Sequence, residues 1–352
     1  MRNKNTLIQN KITAIIAYRN DPFIWNTVDA LLEGIDSTRL NIIIVDDCSD
    51  YELTIDLQKY PNIRLIRNEC NRGVGYSFDR GVEASESDDI ILMGSDVIVK
   101  DPSWIDIIED YLSNNRESLG CSVCLSLDPD FLDPNYPADS VKRHGASMMP
   151  FVTTEDLPSD SSLLNTGSYY VGMFDAKWCK AIPDKDISEV PCIYGAFYAT
   201  TKTWYNHIHG WDTIKGKKFK GHTIYGGLEP MISLKNWLYG GECHVIKSLE
   251  TGHIFHKYRD DGAIMNGRND AFWFNKFFIA YTIMPTEEAN RLIEKIYSLR
   301  VQYELYTMQF NVARKIMKQS WNYVMDVRER NLSESVHDFD WFCEKFHVSK
   351  NY

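Results

Sequence analysis

The chain lacks the features that would place it in a membrane or outside the cell. Its longest apolar runs, such as Ile12 to Ala17 and Ile42 to Val45, are far shorter than the roughly 20 residues that a membrane-spanning helix needs. The first residues, MRNKNTLIQNK, have neither the apolar stretch nor the small-residue cleavage site of a secretory signal. These absences predict a cytoplasmic protein.

Patterned cysteines and excess positive charge are missing as well. The eight cysteines are irregularly spaced, and the pair Cys121 and Cys124 has no second pair to complete a zinc site, so we predict thiols in the core. A net charge of −11 argues against a nonspecific polyanion binder. The basic loop from Lys215 to His222 is a local exception, either a solvated loop or a contact with a charged partner.

The composition is that of a soluble globular protein, with 352 residues, 44% hydrophobic and 13% aromatic. Strand and helix signals alternate over residues 12 to 124, which predicts an α/β fold with a mainly parallel central sheet and helices on both faces. The predicted strands are 12–17, 41–45, 63–66, 90–93 and 120–125, and the predicted helices are 22–34, 51–59, 75–84 and 102–112.

Polar residues follow three of these strands. Ligands of such sheets bind beyond the carboxyl ends of the strands, so the three groups outline one pocket. Acidic side chains there can accept from a nucleoside, and they need a cation between them and a diphosphate. The groups are Tyr18-Arg19-Asn20-Asp21, Asp46-Asp47 and Gly94-Ser95-Asp96.

A second group of candidate residues lies in the segment YGGLEPMISLKNWLYGGECHVIKSLETGHIFH. Glu229 stands where a helix begins, and His253 follows a β-type run, so the segment brings a carboxylate and an imidazole into one cleft. Asp96 and His253 form a sparse pair for Mn²⁺ or Mg²⁺, whose coordination a bound nucleotide diphosphate would complete. Glycines let backbone approach a ligand, so Tyr225, Gly226 and Gly227 are predicted acceptor contacts.

The remaining regions are assigned more coarsely. Residues 126–190 are rich in Pro, Asp and Ser, which predicts an irregular insertion beside the pocket. Residues 1–285 form the main domain, with a nucleotide-binding half at 11–125 and an acceptor half at 126–285. Residues 286–352 form a helical extension, beginning with a helix that Thr286 can cap. Trp204 and Trp211 are either core aromatics or a platform for a sugar ring or base.

The motif order over residues 11 to 260 resembles the GT-A glycosyltransferases, in particular the family-two enzymes and the polypeptide N-acetylgalactosaminyltransferases. It runs through IIAYRND, IIIVDDCSD, IRLIRNECNRGVGYSFDRGVEAS, IILMGSDVIV, PCIYGAFYATTKTW, YGGLEP and TGHIFH. The resemblance implies the GT-A fold, a nucleotide-sugar donor and a divalent cation.

Carried over residue by residue, the resemblance makes Ala17, Tyr18 and Asp47 contacts to the nucleoside, with Arg72 and Gly73 in the segment beside the nucleotide. Asp96 matches the last residue of the DxD or DxH metal motif, and His253 matches the histidine that completes the metal site. Gly94 stands where the first acid of that motif is expected. We include Asp46 and Ser95, from the strand-end groups, in the predicted donor site.

The acceptor side departs from the family pattern. Those transferases read WGGEN where this chain reads YGGLE, so Glu229 aligns with the acceptor base of many inverting family-two enzymes. This favours inversion slightly and leaves the stereochemistry open. His256 replaces the family's arginine and, with Lys257, can neutralise a leaving diphosphate. Residues 257–269 are either a mobile lid or an ordinary surface loop.

These observations predict a glycosyltransferase that moves a sugar from a nucleotide, UDP in particular, to a hydroxyl acceptor. A hydroxymethylated DNA base is an alternative acceptor, since the Lys215 to His222 loop precedes YGGLE. An alternative of another class is a noncatalytic nucleotide-sugar-binding protein, because the first acid of the metal motif is missing. Trp204 joins the predicted acceptor contacts.

Overall fold

The computed structural model describes residues 11–56, 58–127, 142–153, 171–179, 184–212, 226–254, 269–301 and 307–352. The strands are β1 (Ile12–Tyr18), β2 (Leu40–Asp46), β3 (Ile63–Arg67), β4 (Asp89–Gly94), β5 (Val97–Val99), β6 (Ser118–Leu127), β7 (Arg143–Thr153), β8 (Val171–Cys179), β9 (Ile187–Glu189), β10 (Phe197–Thr201) and β11 (Glu242–Ile254). The helices are α1 (Ile24–Leu32), α2 (Val74–Ala84), α3 (Trp104–Asn114), α4 (Lys202–His207), α5 (Leu228–Leu238), α6 (Asn269–Ile283), α7 (Thr286–Val301), α8 (Thr307–Gln319), α9 (Trp321–Glu334) and α10 (Phe339–Lys345).

The strands form one sheet whose main order is β3-β2-β1-β4-β10-β6-β11-β5. The first four in this order are parallel, and β10 runs antiparallel to both β4 and β6. Because β11 is parallel to β6, both strands point the same way as β1 and β4. The carboxyl ends of β1, β2, β4, β6 and β11 therefore meet at one edge of the sheet, which is where a ligand of such a sheet binds.

Continuous apolar runs explain why the first strands form where the sequence predicts them. All seven residues of β1 are buried, as are six of the seven in β2, so each strand is covered on both faces. Amphipathic helices α1, α2 and α3 supply the cover with their apolar faces. The α/β class and the helices on the sheet are confirmed.

The predicted helix 51–59 is wrong for the described residues of that segment. Leu53 and Ile55 alternate with exposed neighbours and pack on the core, which is the period of an extended segment. The Asp56 carboxylate then accepts from the backbone N–H groups of Gln58 and Lys59, closing a turn.

The irregular insertion predicted over 126–190 is also wrong where the structure describes it. β7 and β8 pair antiparallel over most of their length, and β7 joins the sheet through β6. β9 pairs antiparallel with β11. Such pairings join residues distant in sequence, which explains why local composition did not reveal them.

The predicted C-terminal helical region is present and packs into the same hydrophobic core as the sheet domain. Phe277 of α6 contacts Phe310 of α8 at a centroid distance of 4.7 Å. A buried ion group reinforces this junction: Asp212 pairs with Lys235 of α5 at 2.5 Å and with Arg330 of α9 at 2.6 Å. The boundary between residues 285 and 286 stays a prediction.

Two further expectations concern cysteines and membranes. Cys121 and Cys124 are buried core thiols, as predicted, and burial raises the pKa of Cys121 to about 11 and that of Cys124 to about 12. Among the described residues, none of the helices has the length and apolar character needed to cross a membrane.

Candidate active site

Asp96 and His253 meet at the edge of the sheet. Asp96 lies in the turn between β4 and β5, and His253 is opposite Val97 in the antiparallel pairing of β5 with β11. The backbone N–H of Ile254 donates to the carbonyl of Asp96 at 2.9 Å, which fixes the two strands beside each other. Asp96 Oδ1 lies 3.3 Å from His253 Nε2.

This pair fits a divalent cation. Two ligands at adjacent corners of an octahedron, each about 2.1 Å from the ion, lie about 3.0 Å apart, close to the separation of these two atoms. The side chains of Asp96 and His253 are 10% and 19% exposed, so the pair is accessible from one side. The described part of the chain holds no group of three such ligands, so a bound diphosphate would have to supply the other oxygens.

Gly94 fits the same arrangement. A Cβ at Gly94 would lie 2.8 Å from Asp96 Oδ1, closer than ordinary side-chain contacts allow. An acid at this position would therefore require Asp96 to turn away from its present orientation. The absence of a side chain at position 94, where the metal motif has its first acid, therefore permits the observed orientation of Asp96.

On the donor side, the predicted contact Asp47 organises a loop. Its Oδ1 accepts from Asn68 Nδ2 and from the backbone N–H of Arg72, each at 2.8 Å, and its Oδ2 accepts from the N–H of Gly73 at 2.7 Å. Gly73 has φ +88°, a conformation that glycine adopts without strain, and it caps α2. Asp47 therefore fixes the turn that presents the Arg72 side chain, which stacks on Tyr76 at 4.3 Å.

Asp46 is fully buried at the end of β2. It pairs with Arg67, and its Oδ1 accepts from the N–H of Ser49 at 2.8 Å. Ala17 and Tyr18 lie beside it at the end of β1, each less than a tenth exposed. Burial raises the pKa of the Tyr18 phenol, so its hydroxyl stays protonated.

Ser95 points into the protein in this structure. Its hydroxyl donates to Asp21 Oδ2 at 2.9 Å, and its carbonyl accepts from the Thr27 hydroxyl at 2.7 Å. Asp21 in turn accepts from the N–H of Phe23, so it joins the turn before α1 to the turn before Asp96. The contribution of Ser95 to the donor site is thus to hold the Asp96 turn.

On the acceptor side, Glu229 stands in the first turn of α5. Burial raises the pKa of its carboxyl, and a hydrogen bond from Tyr198 and the charge of His253 oppose that rise. The hydroxyl of Tyr198 lies 3.2 Å from Glu229 Oε1.

The two glycines before α5 are required by close packing and by backbone conformation. A Cβ at Gly226 would lie 1.9 Å from Phe272 of α6, and Gly226 has φ +94°. Asn275 Nδ2 donates to the Gly226 carbonyl at 2.9 Å. A Cβ at Gly227 would meet its nearest neighbour, the Lys276 side chain, at an ordinary 3.6 Å. With φ +70°, Gly227 is therefore required by its left-handed conformation.

The two candidate tryptophans are core residues. Trp204 is 6% exposed, its Nε1 donates to Asn236 Oδ1 at 2.6 Å, and it has no open face for an acceptor. Trp211 is 1% exposed and donates to the carbonyl of Leu228 at 2.9 Å. Because Trp211 is hydrogen-bonded to Leu228, the first residue of α5, it helps to hold the start of the helix that carries Glu229.

Several predicted residues lie outside the described ranges. They are Tyr225, His256, Lys257, the Lys215 to His222 loop and residues 257–268 of the lid segment. Their predicted roles in acceptor binding, diphosphate binding, DNA contact and closure stay predictions.

Sequence reasoning missed Tyr198 and the α6 residues that support the site. Tyr198 belongs to the segment FYATT of β10, whose aromatic and β-branched residues could have indicated a strand. Lys276 of α6 is 1% exposed and pairs with Asp175 of β8, close to Gly227. No local pattern relates these residues to Glu229.

A cavity of about 530 Å³ is lined by β7, α7 and residues that follow α10, and one of about 520 Å³ is lined by α6, α7, α8 and α9. The residues of the candidate site line neither of them. We place the site by its chemistry, because the strand-end carboxylates and His253 converge elsewhere.

Comparison with known proteins agrees with this geometry. Residues 13–160 match the family described as glycosyl transferase family 2. The crystal structure of GalNAc-T7 with UDP, GalNAc and Mn²⁺ superposes with a TM-score of 0.63 at 15% identity, covering 96% of this chain and 57% of that chain. The chain therefore has a GT-A fold, and residues 13–160 are similar to glycosyl transferase family 2. The resemblance inferred from the motifs is confirmed.

Other relatives of this GT-A protein share less of their length with it. Polypeptide N-acetylgalactosaminyltransferase 10 of Rattus norvegicus is 25% identical over 222 residues, 62% of this chain and 32% of the relative. The Homo sapiens counterpart gives the same figures. S. aureus TarS 1-349 in complex with UDP-GlcNAc has a TM-score of 0.50 at 11% identity, covering 91% and 89% of the two chains. The matched region therefore spans about a third of the length of the two N-acetylgalactosaminyltransferases.

Proposed function

We propose that this chain transfers a sugar from a UDP-sugar to a hydroxyl acceptor, with a divalent cation, Mn²⁺ or Mg²⁺, at Asp96 and His253. The observation that carries the proposal is the 3.3 Å approach of Asp96 Oδ1 to His253 Nε2 at the edge of the sheet. The GalNAc-T7 complex with UDP and Mn²⁺ and the TarS complex with UDP-GlcNAc support the choice of donor and cation.

The donor side would be formed by the carboxyl ends of β1 and β2 and by the loop before α2. Ala17 and Tyr18 line the strand end, and Asp47 holds the backbone of Arg72 and Gly73 in place. In this arrangement the Asp47 carboxylate binds the loop rather than the ligand, and the loop orients the nucleoside. A cation at Asp96 and His253 would neutralise charge on the departing diphosphate.

Glu229 would act as the general base. Its pKa is raised by burial, which brings its basicity closer to neutral pH, where such a base is most effective. It would remove the proton of the acceptor hydroxyl as the oxygen attacks the anomeric carbon opposite the nucleotide. The bond from that carbon to the diphosphate then breaks, its electron pair leaves with UDP, and the configuration inverts.

The acceptor site would begin at the Gly226-Gly227 turn, which α6 holds against Glu229. Trp204 has no open face, so we leave it out of this site. The class of acceptor stays open, and a hydroxymethylated DNA duplex is one of the substrates to be tested.

The test measures UDP or GDP release from UDP-GlcNAc, UDP-GalNAc, UDP-glucose and GDP-mannose, with Mn²⁺, Mg²⁺ or EDTA. We expect cation-dependent UDP release by the wild type and by Asp106→Ala, which removes an exposed carboxylate on α3. Asp96→Ala should lower the rate by roughly 10²–10³-fold while its melting temperature stays unchanged.

Full activity of Asp96→Ala would remove the cation from the proposal. Binding of UDP-sugars by the wild type without release of UDP, to water or to any acceptor offered, would favour the noncatalytic alternative. Stimulation of UDP release by hydroxymethylated duplex, and not by unmodified duplex, would identify DNA as the acceptor.

A further inference from the structure

Tyr198 lies at the centre of a short hydrogen-bonded chain. It belongs to β10, opposite Leu92 of β4 and Cys121 of β6, and only 3% of it is exposed. Its hydroxyl donates to Glu229 Oε1 at 3.2 Å and accepts from the backbone N–H of Ala196 at 3.1 Å. Both hydrogen-bonding directions of the hydroxyl are therefore used inside the protein.

The Ala196 end of this chain is fixed to the cation site. Ala196 has φ +62°, uncommon for a residue with a Cβ, and follows Gly195 at φ +116°. The carbonyl of Ala196 accepts from the N–H of Gly94 at 3.0 Å, and Gly94 leads into the Asp96 turn. The unusual turn thus connects the Tyr198 hydroxyl to the strand end that carries Asp96.

We infer that Tyr198 is a positioning residue, which fixes the Glu229 carboxylate relative to the Asp96 turn through the Gly195-Ala196 turn. This inference deepens the proposed function and rests on it. The link is anchored in the sheet at two points, because Tyr198 is buried in β10 and Gly94 belongs to β4.

The chemistry of Tyr198 suits a donor with a fixed role. Burial, followed by the nearby Glu229 carboxylate, raises the pKa of its phenol well above the usual value, so the hydroxyl keeps its proton and can donate at neutral pH. Among the described residues, His253 and the thiol of Cys192 also interact electrostatically with Glu229. Tyr198 is the one for which a hydrogen bond to the carboxylate is described.

The test compares Tyr198→Phe with the control Tyr205→Phe. Tyr205 is equally buried, at 3%, and its hydroxyl donates to the Asp79 carboxylate at 2.5 Å, away from Glu229. Both variants lose one buried hydroxyl bonded to a carboxylate, so losses of stability should be similar. The readouts are kcat and KM for the UDP-sugar against pH, and the ¹³C NMR titration of the Glu229 carboxyl carbon.

For Tyr198→Phe we expect the pKa of Glu229, and with it the acidic limb of kcat, to move up by about 0.5–1 pH unit. We expect kcat to fall by roughly 3–10-fold at pH 7 and KM for the donor to change by less than about twofold. Tyr205→Phe should leave the limb in place. An unmoved limb in Tyr198→Phe, or an equal shift in both variants, would overturn the inference.

The NMR titration separates this inference from the proposed function. If the wild type releases no UDP, the proposed function fails, and a shifted Glu229 titration in Tyr198→Phe still supports the hydrogen-bonded link. If that titration is unshifted, the link itself is wrong. If Tyr198→Phe does not fold, 3-fluorotyrosine placed at position 198 keeps the ring and is a stronger donor, so the pKa of Glu229 should then fall; an unchanged pKa would overturn the inference.

Discussion

The proposed donor side and the proposed acceptor side hold their carboxylates in different ways. Asp47 accepts three hydrogen bonds, two of them from the backbone of the loop before α2, and Asp46 is paired with Arg67. Glu229 accepts a hydrogen bond from Tyr198 and sits in surroundings that raise its pKa. A carboxylate with several internal donors shapes the protein, whereas one that burial keeps more basic is suited to accept a proton.

The largest expected effect distinguishes the two sides through Glu229. Glu229→Gln should lower transfer by about 10²–10⁴-fold, because glutamine cannot remove the acceptor proton. Binding of UDP with Mn²⁺, measured by calorimetry, should stay within about twofold of wild type, because the base acts on the acceptor hydroxyl and not on the nucleotide. Weakened nucleotide binding with unchanged turnover would place Glu229 on the donor side instead.

The same substitution should change stability in a pH-dependent way. Because the pKa of Glu229 is raised on folding, the native state binds a proton that the unfolded state releases, and this stability is lost as pH rises through the folded-state pKa. Glutamine has no such loss. Glu229→Gln should therefore melt above wild type at pH 8, and the difference should shrink at pH 4.

Asp47→Ala addresses the structural carboxylate. It leaves two backbone N–H groups without their acceptor and removes one of the two hydrogen bonds that the Asn68 amide donates, so we expect a loss of about 3 kcal/mol in the free energy of unfolding. KM for the UDP-sugar should rise by about tenfold, since a loosened loop costs ordering on binding. The control is Asp50→Ala, which removes an exposed carboxylate that accepts from Asn20 and should change stability by less than about 0.5 kcal/mol. A normal KM in Asp47→Ala would remove this loop from the donor site.

The smallest expected effect on activity is that of Trp204→Phe. The variant loses the bond to Asn236 in the core and should destabilise the fold by about 1–3 kcal/mol. Thermal unfolding measures this loss, and KM for the acceptor should stay within about twofold of wild type. A large rise in acceptor KM with little loss of stability would restore the stacking role that the sequence suggested.

The fold of residues 11–125, the half predicted to bind the nucleotide, was predictable because its signals are local. Continuous apolar runs indicate β1, β2 and β4, each predicted within about a residue of the observed ends, and the polar residues after them fall at one edge of the sheet. The 51–59 segment shows the limit of this reasoning. Leu53 and Ile55, two residues apart, both pack on the core as part of an extended segment. This packing determines the conformation there, and the helical interpretation is wrong.

The other half depends on contacts between residues far apart in sequence. β7 and β8 form through antiparallel pairing, and Glu229 is oriented by Tyr198, 31 residues earlier. The glycine pair before Glu229 is visible in the sequence, but the close approach of Phe272 to Gly226 and the positive φ of both glycines are seen only in the structure. No pattern of composition or spacing contains that information.

The most direct test of the cation site is anomalous diffraction from crystals grown with UDP and Mn²⁺. We expect one manganese peak within about 2.5 Å of both Asp96 Oδ1 and His253 Nε2, with diphosphate oxygens completing its coordination. A manganese site elsewhere, or bound UDP with no manganese peak at saturating Mn²⁺, would contradict the proposed site.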